Sequence, residues 1–353
     1  MFIESNCRKC SYSVSYTPLF SSLPTRVLIH PPFSPITIYL PPSKCLLSLF
    51  KSNIREQQQL QSTSLQSTPL HSTPPQTMPQ AQNILIVGAT RGLGAALANL
   101  YASQTYTTVY ATTRRDYAPH LTEKGDEFRE NIIWLTDIDV EKRGVGVRLV
   151  DQLLAHGTRE RQAKGGFDVV IYTPGYHKED YENLKRGPDW DLEIKTYTII
   201  AISPTFIIQN LHANGFLTRG GRIVLVSCES GSITLRHPKE DGGDYAHRAS
   251  KAALNMVGKL LSFELKDDGV IVTTVHPGLM REEMTRTMRG VSKYWKDKGA
   301  VSEEDAAGSI LCWEETLTME KTGEFWALEG PKGLATAEET IGKNLPKPLQ
   351  LPW

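Results

Sequence analysis

Twelve residues constrain this chain more than any others: Asn83-Ile84-Leu85-Ile86-Val87-Gly88-Ala89-Thr90-Arg91-Gly92-Leu93-Gly94. The apolar run is too short for a helix and is closed by a glycine, which predicts a strand buried on both faces. Its glycines follow the spacing G-x-x-x-G-x-G. After them Ala95-Ala96-Leu97-Ala98-Asn99-Leu100-Tyr101 predicts a helix, being rich in strong helix formers. Glycines let the backbone turn sharply and let a phosphate approach the amide N–H groups without a Cβ in the way. The helix N-terminus behind them carries partial positive charge and unpaired donors. Between strand and helix, Gly88, Thr90, Arg91, Gly92, Leu93 and Gly94 are therefore candidates to cradle a pyrophosphate.

From Asn83 onward the chain alternates strand and helix, the pattern of a parallel sheet covered on both faces. Strands are predicted over 107–111, 132–135, 166–171, 222–227, 270–275 and 323–328, giving about seven in all. A helix is predicted over 141–156, with Val145, Val147, Leu149, Val150, Leu153 and Leu154 apolar. The stretch 199–211 is apolar almost all round, as in a helix that is deeply buried or shared with a partner. Another helix runs from about Tyr245 to Leu265, with Ala253, Met256, Val257, Leu260 and Leu261 at the spacing of a core stripe. No second domain is required.

Residues 1–82 differ in kind. They are crowded with Ser, Pro, Thr and Gln, repeat Leu-Gln-Ser-Thr, and hold only Glu4 and Glu56 as acids. Such a composition predicts a disordered leader, and Met78 is an alternative natural start. A transit peptide is the third reading, but frequent prolines oppose the amphipathic helix it requires. The 39 basic and 39 acidic residues cancel, which argues against nucleic acid or an anionic membrane surface as the main partner. No apolar run reaches the ~18 residues of a membrane span. Five scattered cysteines do not make a disulfide framework, and Cys7 and Cys10 lack the second pair of a zinc site, so no metal is expected. The expected address is the cytoplasm, with organelle targeting by the leader left open.

The second predicted strand ends Tyr110-Ala111-Thr112-Thr113-Arg114-Arg115, where a dinucleotide fold meets the adenosine ribose. No acid stands there to hold a 2′-hydroxyl. Arg114, beside Thr113, and Arg91 from the glycine loop instead suit a 2′-phosphate, which points to NADP(H) rather than NAD. Asp139 either accepts from the adenine amino group or caps the helix predicted from Glu141.

Residues 83 to about 335 resemble the short-chain dehydrogenase/reductase family, nearest its C-factor-like branch. The resemblance rests on the glycine loop, on Val224-Leu225-Val226-Ser227-Cys228-Glu229-Ser230-Gly231-Ser232, on Ala249-Ser250-Lys251-Ala252-Ala253-Leu254-Asn255-Met256, on His276-Pro277-Gly278, and on the closing Leu351-Pro352-Trp353. It implies a doubly wound Rossmann fold over 83–353 that binds NADP at the glycine loop. It also implies hydride transfer between nicotinamide and a carbonyl or alcohol, here expected to be the reduction of a hydrophobic carbonyl in a biosynthetic, secondary-metabolite pathway. The family works through Asn, Ser, Tyr and Lys, the last two spaced Y-x-x-x-K. Lys251 matches; His247 stands in the tyrosine position, with Tyr245 two residues earlier, and Cys228 stands in the serine position between Ser227 and Ser230. Ile200 falls at the asparagine. Of the usual Asn-Asn-Ala-Gly loop only Gly175 survives; Pro277 and Gly278 match, Glu282 replaces a common threonine, and Met280 lies on the cofactor side.

These departures have chemical consequences. Lys251 one turn away disfavours a proton on His247, and a neutral imidazole is a poor acid. A thiol is a weak donor for an oxyanion. Turnover of ordinary ketones is therefore expected to be weak unless Tyr245 or Ser230 substitutes. The rival expectation is a cofactor-binding sensor or scaffold without catalysis, and a narrower one is an isomerase or dehydratase with His247 as base. Met280, Met284, Met288, Tyr294 and Trp295 in the loop 279–300 suit a bulky apolar ligand. The helices 199–211 and 245–265 are where relatives pair into dimers and tetramers.

Overall fold

The computed structural model describes residues 81–353 except 123, 158–165, 178–182, 241, 281–299 and 335, together with four strands nearer the N-terminus. Those strands, Phe2–Cys7, Cys10–Tyr16, Arg26–His30 and Ile36–Tyr39, pair antiparallel in chain order within a unit of their own over residues 1–72. Met78 and Glu282, Met284, Met288, Tyr294 and Trp295, all singled out in the sequence, lie outside the described residues.

The second unit is built on one eight-stranded sheet. Its strands are β1 (Gln82–Val87), β2 (Thr107–Thr112), β3 (Ile132–Leu135), β4 (Phe167–Tyr172), β5 (Leu217–Val226), β6 (Ile271–His276), β7 (Glu324–Ala327) and β8 (Leu349–Leu351). They lie in the order β8-β7-β6-β5-β4-β1-β2-β3. The first seven run parallel, as the alternating pattern predicts; β8, which the sequence reading missed, pairs antiparallel with β7. Chain order reverses at β1, which has β2 on one side and β4 on the other. In an open parallel sheet that reversal leaves a crevice at the carboxyl ends of the strands, where ligands bind.

Strand β1 shows why the run is apolar throughout. Ile84 and Ile86 face a core with Leu93, Leu97 and Tyr101 of α1 (Gly92–Ala102) and Ile310 and Trp313 of α6 (Glu303–Glu315). Leu85 and Val87 face the opposite core. That second core is closed by α2 (Val145–Ala155), α4 (Ser203–Ala213) and α5 (Tyr245–Glu264), which supply Leu149, Leu153, Ile207, Leu211, Leu254 and Leu261. Alternate side chains of one strand thus enter two hydrophobic layers. A smaller helix, α3 (Trp190–Tyr197), opens on Asp189, whose Oδ1 accepts from Leu192 N at 3.1 Å.

Three predicted helices differ in detail. The one expected from Glu141 begins at Val145, because Asp139 Oδ1 accepts from Glu141 N at 3.0 Å and folds a turn first, and Gly144 then takes φ 78°. The stretch 199–211 is split: a π-helical turn, Thr198–Ile202, links α3 to α4 and leaves Ile202 and Phe206 exposed. On α5 the core stripe is rotated from the one expected. Lys251, Leu254, Asn255, Gly258 and Leu261 are inside, while Met256 and Leu260 are outside. The buried face of α5 carries polar groups because it adjoins the crevice; of the expected stripe Leu261 is in the core and Val257 packs against it, while Met256 and Leu260 face outward.

Candidate functional site

Hydrogen bonds brace the glycine loop. Gly88 N donates to Thr112 Oγ1 at 2.9 Å, and Thr173 Oγ1 donates to Val87 O at 2.7 Å and Gly88 O at 3.0 Å. Gly94 is required by packing: a Cβ there would lie 2.1 Å from Gly88 O. The α1 helix opens with no side-chain cap and no acid in its first turn. No side chain of the helix therefore offsets the partial positive charge of that end.

One cavity of about 1550 Å³ runs across the strand ends. Its wall contains Gly88, Thr90, Arg91, Gly92, Leu93 and Gly94 at one end, then Thr113, Arg114, Asp139 and Gly175. Farther along stand Ser227, Cys228, Ser230, His247, Lys251, Pro277, Gly278 and Met280. Among the described residues, the catalytic and cofactor candidates selected from the sequence therefore line this space except Tyr245 and, at the asparagine position, Ile200. Tyr245 is the first residue of α5, so it is already helical and does not share the face of Lys251. Arg91 and Arg114 are both exposed. A Cβ on Gly175 would meet nothing within 4 Å, so the wall there is cut back from the space it bounds.

The inner end is crowded with polar groups. Lys251 is 6% exposed and its Nζ donates to Val226 O at 2.9 Å. His247 stands one turn before it, its ring edge-on to His177 with centroids 5.3 Å apart. Burial holds His247 at a pKa of about 4; Asp244 pulls upward, while Lys251 and His177 push further down. The neutral imidazole expected from the sequence has burial as its main cause, and Lys251 is the lesser one. Ser227 is not poised for chemistry, since its Oγ donates to Asn255 Oδ1 at 2.7 Å and ties the end of β5 to α5. Cys228 Sγ donates to Glu229 Oε2 at 2.6 Å, and burial, with Glu229 adding to it, lifts the thiol above its usual range. Ser230 Oγ is buried beside it. Ile200, at the asparagine position, is fully buried and does not line the cavity; the π turn presents Ile199 instead.

Several contributors escaped the sequence reading. Thr173 ties its loop to the glycine turn, and its only signal was its place after β4. His177 meets Asp244 at 3.5 Å and His276 meets Glu229 at 3.4 Å, from four separate segments, and no spacing along the chain announces either pair.

The architecture and the crevice define the doubly wound nucleotide-binding class. Residues 82–291 match the family model described as short chain dehydrogenase, and the chain belongs to that family of NAD(P)-dependent oxidoreductases. It is similar to 1-hydroxy-2-glutathionyl-2-methyl-3-butene dehydrogenase of Rhodococcus sp. (strain AD45), with 30% identity over 53% of this chain and 76% of that protein. It is also similar to C-signal of Myxococcus xanthus, 34% identical over 38% of this chain and 74% of the relative. In fold it resembles NADPH-bound carbonyl reductase from chicken fatty liver, with a TM-score of 0.57 and 20% identity over 70% of this chain and 92% of that one. Among the described residues no helix is long and apolar enough to cross a membrane.

Proposed function

We propose that the chain is an NADP-dependent reductase of a hydrophobic carbonyl compound, and that it works as a homodimer or homotetramer. The observation that carries the cofactor choice is the pair Arg91 and Arg114, both exposed on the wall of one cavity with no acid at the end of β2. Guanidiniums retain their charge and bind phosphate in a fork, so they favour the 2′-phosphate over a bare ribose. The uncapped α1 terminus and the recess at Gly175 fit a dinucleotide as well. Similarity to an NADPH-bound carbonyl reductase adds a direction for the chemistry.

Reduced nicotinamide, when bound, supplies a hydride. This chain's own residues must then steady the oxygen that gains charge and provide its proton. The Lys251 ammonium, fixed on Val226 O, supplies positive charge at the inner end. The Ser230 hydroxyl, beside the Cys228 thiol that Glu229 already engages, is the donor on the facing turn, and His247 shapes the pocket as a neutral ring. With no tyrosine in place, turnover is slow. Calorimetry with NADPH and NADH tests the first half: NADPH binds at least tenfold more tightly, and Arg91→Ala with Arg114→Ala erases the difference. NADPH oxidation with a panel of aromatic and long-chain aldehydes and ketones tests the second, and Lys251→Ala abolishes it. Failure to bind either coenzyme overturns the whole reading.

One observation favours a second reading, a cofactor-binding protein without turnover: His247, in the tyrosine position, is held near pKa 4 and offers no proton at neutral pH. Under that reading NADPH binds, the carbonyl panel is inert, and His247→Tyr combined with Cys228→Ser creates activity.

A further inference from the structure

Two adjacent strand ends deliver an unusual set of side chains to the inner wall of the cavity. Val226 of β5 pairs with Val275 of β6, and Ser227 N donates to Val275 O at 2.8 Å. Just past the end of the first strand stand Cys228 and Glu229; the second strand ends on His276. Cys228 Sγ, a Glu229 carboxylate oxygen and a His276 ring nitrogen all lie within 4.8 Å of one another. Glu229 Oε2 is 2.6 Å from Cys228 Sγ and 3.4 Å from His276 Nδ1.

His276 is the telling member. It is 5% exposed, yet neither ring nitrogen has a hydrogen-bond partner among the described residues. Buried polar atoms are nearly always satisfied, and one left open calls for an explanation such as an ion. The ring cannot simply turn to solvent, because it ends a strand whose residues are all buried.

We infer that Cys228, Glu229 and His276 form a binding site for a divalent transition metal of the zinc class. One sulfur, one nitrogen and one carboxylate oxygen are the donors such ions take, and three protein ligands leave a coordination position facing the cavity. Ligand atoms around a tetrahedral ion with bonds of about 2.0–2.3 Å stand roughly 3.3–3.8 Å apart. The histidine–glutamate separation already falls in that range, and the cysteine–glutamate pair opens by about 1 Å once the thiol no longer donates. On binding, the S–H bond breaks, its electron pair forms the metal–sulfur bond and the proton passes to solvent. Thiolate and carboxylate then balance the charge of the ion. The Lys251 ammonium, near enough to His276 to weigh on its charge, opposes the ion, so the site exchanges its metal with chelators.

The test uses the full chain and reads binding, so its outcome is separate from that of the carbonyl reading. Chelator-treated protein is titrated with Zn²⁺ in a calorimeter and with Co²⁺ in a spectrophotometer. The expected result is one equivalent bound, with a thiolate-to-cobalt charge-transfer band. Cys228→Ser removes the band, and His276→Ala weakens binding by more than the 10–100-fold that changes outside the ligand shell cost. Cys7→Ser with Cys10→Ser keeps the band, which keeps the test decisive where a substitution in the cavity wall fails to fold. Absence of the band in the unaltered chain, its loss in the Cys7/Cys10 variant, or undiminished binding in folded His276→Ala overturns the assignment.

Discussion

Glu314 shows how much one buried charge decides. It lies in α6 with its side chain 1% exposed, 3.1 Å from Arg222 Nη1, and its Oε1 accepts from Tyr101 OH at 3.2 Å. Burial raises its pKa from 4.5 to about 7, and Arg222 offsets only part of that while Glu315 adds to it. Between those two pH values the native carboxyl keeps a proton that the unfolded chain has lost. The contribution to stability is thus complete below the unfolded value and is lost as pH rises through the folded one. The full excursion is worth ~3 kcal/mol. Glu314→Gln cannot ionise, so urea denaturation should show the difference between parent and variant moving in favour of the variant by ~2 kcal/mol between pH 5 and pH 8. A gap that does not move with pH would mean that Arg222 keeps the carboxylate charged throughout.

Among the elements, the shortest strand has the longest reach. After β8 the chain ends against the segment that follows Cys228–Gly231: Ser232 Oγ donates to Pro352 O at 2.7 Å, and Thr234 donates to Trp353 O from N at 3.0 Å and from Oγ1 at 2.7 Å. Trp353 also stacks on Phe325 of β7. Deleting Pro352 and Trp353 leaves the fully buried Ser232 hydroxyl without its acceptor, a cost of about 1–3 kcal/mol. Differential scanning calorimetry should show a melting point lower by several degrees, at about 2–4 °C per kcal/mol. NADPH affinity should stay within about twofold, because the glycine loop is braced by Thr112 and Thr173 instead. Gly94→Ala should do the reverse of sparing the loop: its Cβ meets backbone, so both stability and NADPH binding fall in titration and melting alike. The seven parallel strands and the glycine turn were legible in the sequence because a strand buried on both faces must be apolar throughout and a turn this tight admits only glycine. The face that α5 buries was not. Met256 and Leu260 obey the same periodicity as a core stripe, and only the neighbours of the helix reveal that Asn255 points inward one turn beyond Lys251. The Cys228–Glu229–His276 set was hidden for a related reason, since β5 and β6 meet in space and not along the chain.

At the scale of the whole molecule, the outward faces of α3, α4 and α5 raise the question of what covers them. Met256, Leu260 and Phe263 follow one another at i, i+4 and i+7 on α5 and are 60%, 50% and 62% exposed. Ile202 and Phe206, also one turn apart, are 48% and 56% exposed, and Ile194 and Trp190 on α3, which packs beside α5, are 55% and 78% exposed. Scattered exposed apolar residues need no explanation, but stripes on neighbouring helices mark an interaction surface. A second copy of the chain offers the same stripes, and a two-fold arrangement of α4 and α5 would cover each set with its own equivalent. Sedimentation velocity on the full chain should therefore give a dimer or tetramer at micromolar concentration. Phe206→Glu with Leu260→Glu places like charges across that two-fold and should yield monomers. Both positions are solvent-facing in the single chain, so the monomers should keep the parent's far-UV circular dichroism and its affinity for NADPH. A parent chain that sediments as a monomer would leave the stripes for a different partner, and a double variant that stays assembled would move the interface to another face.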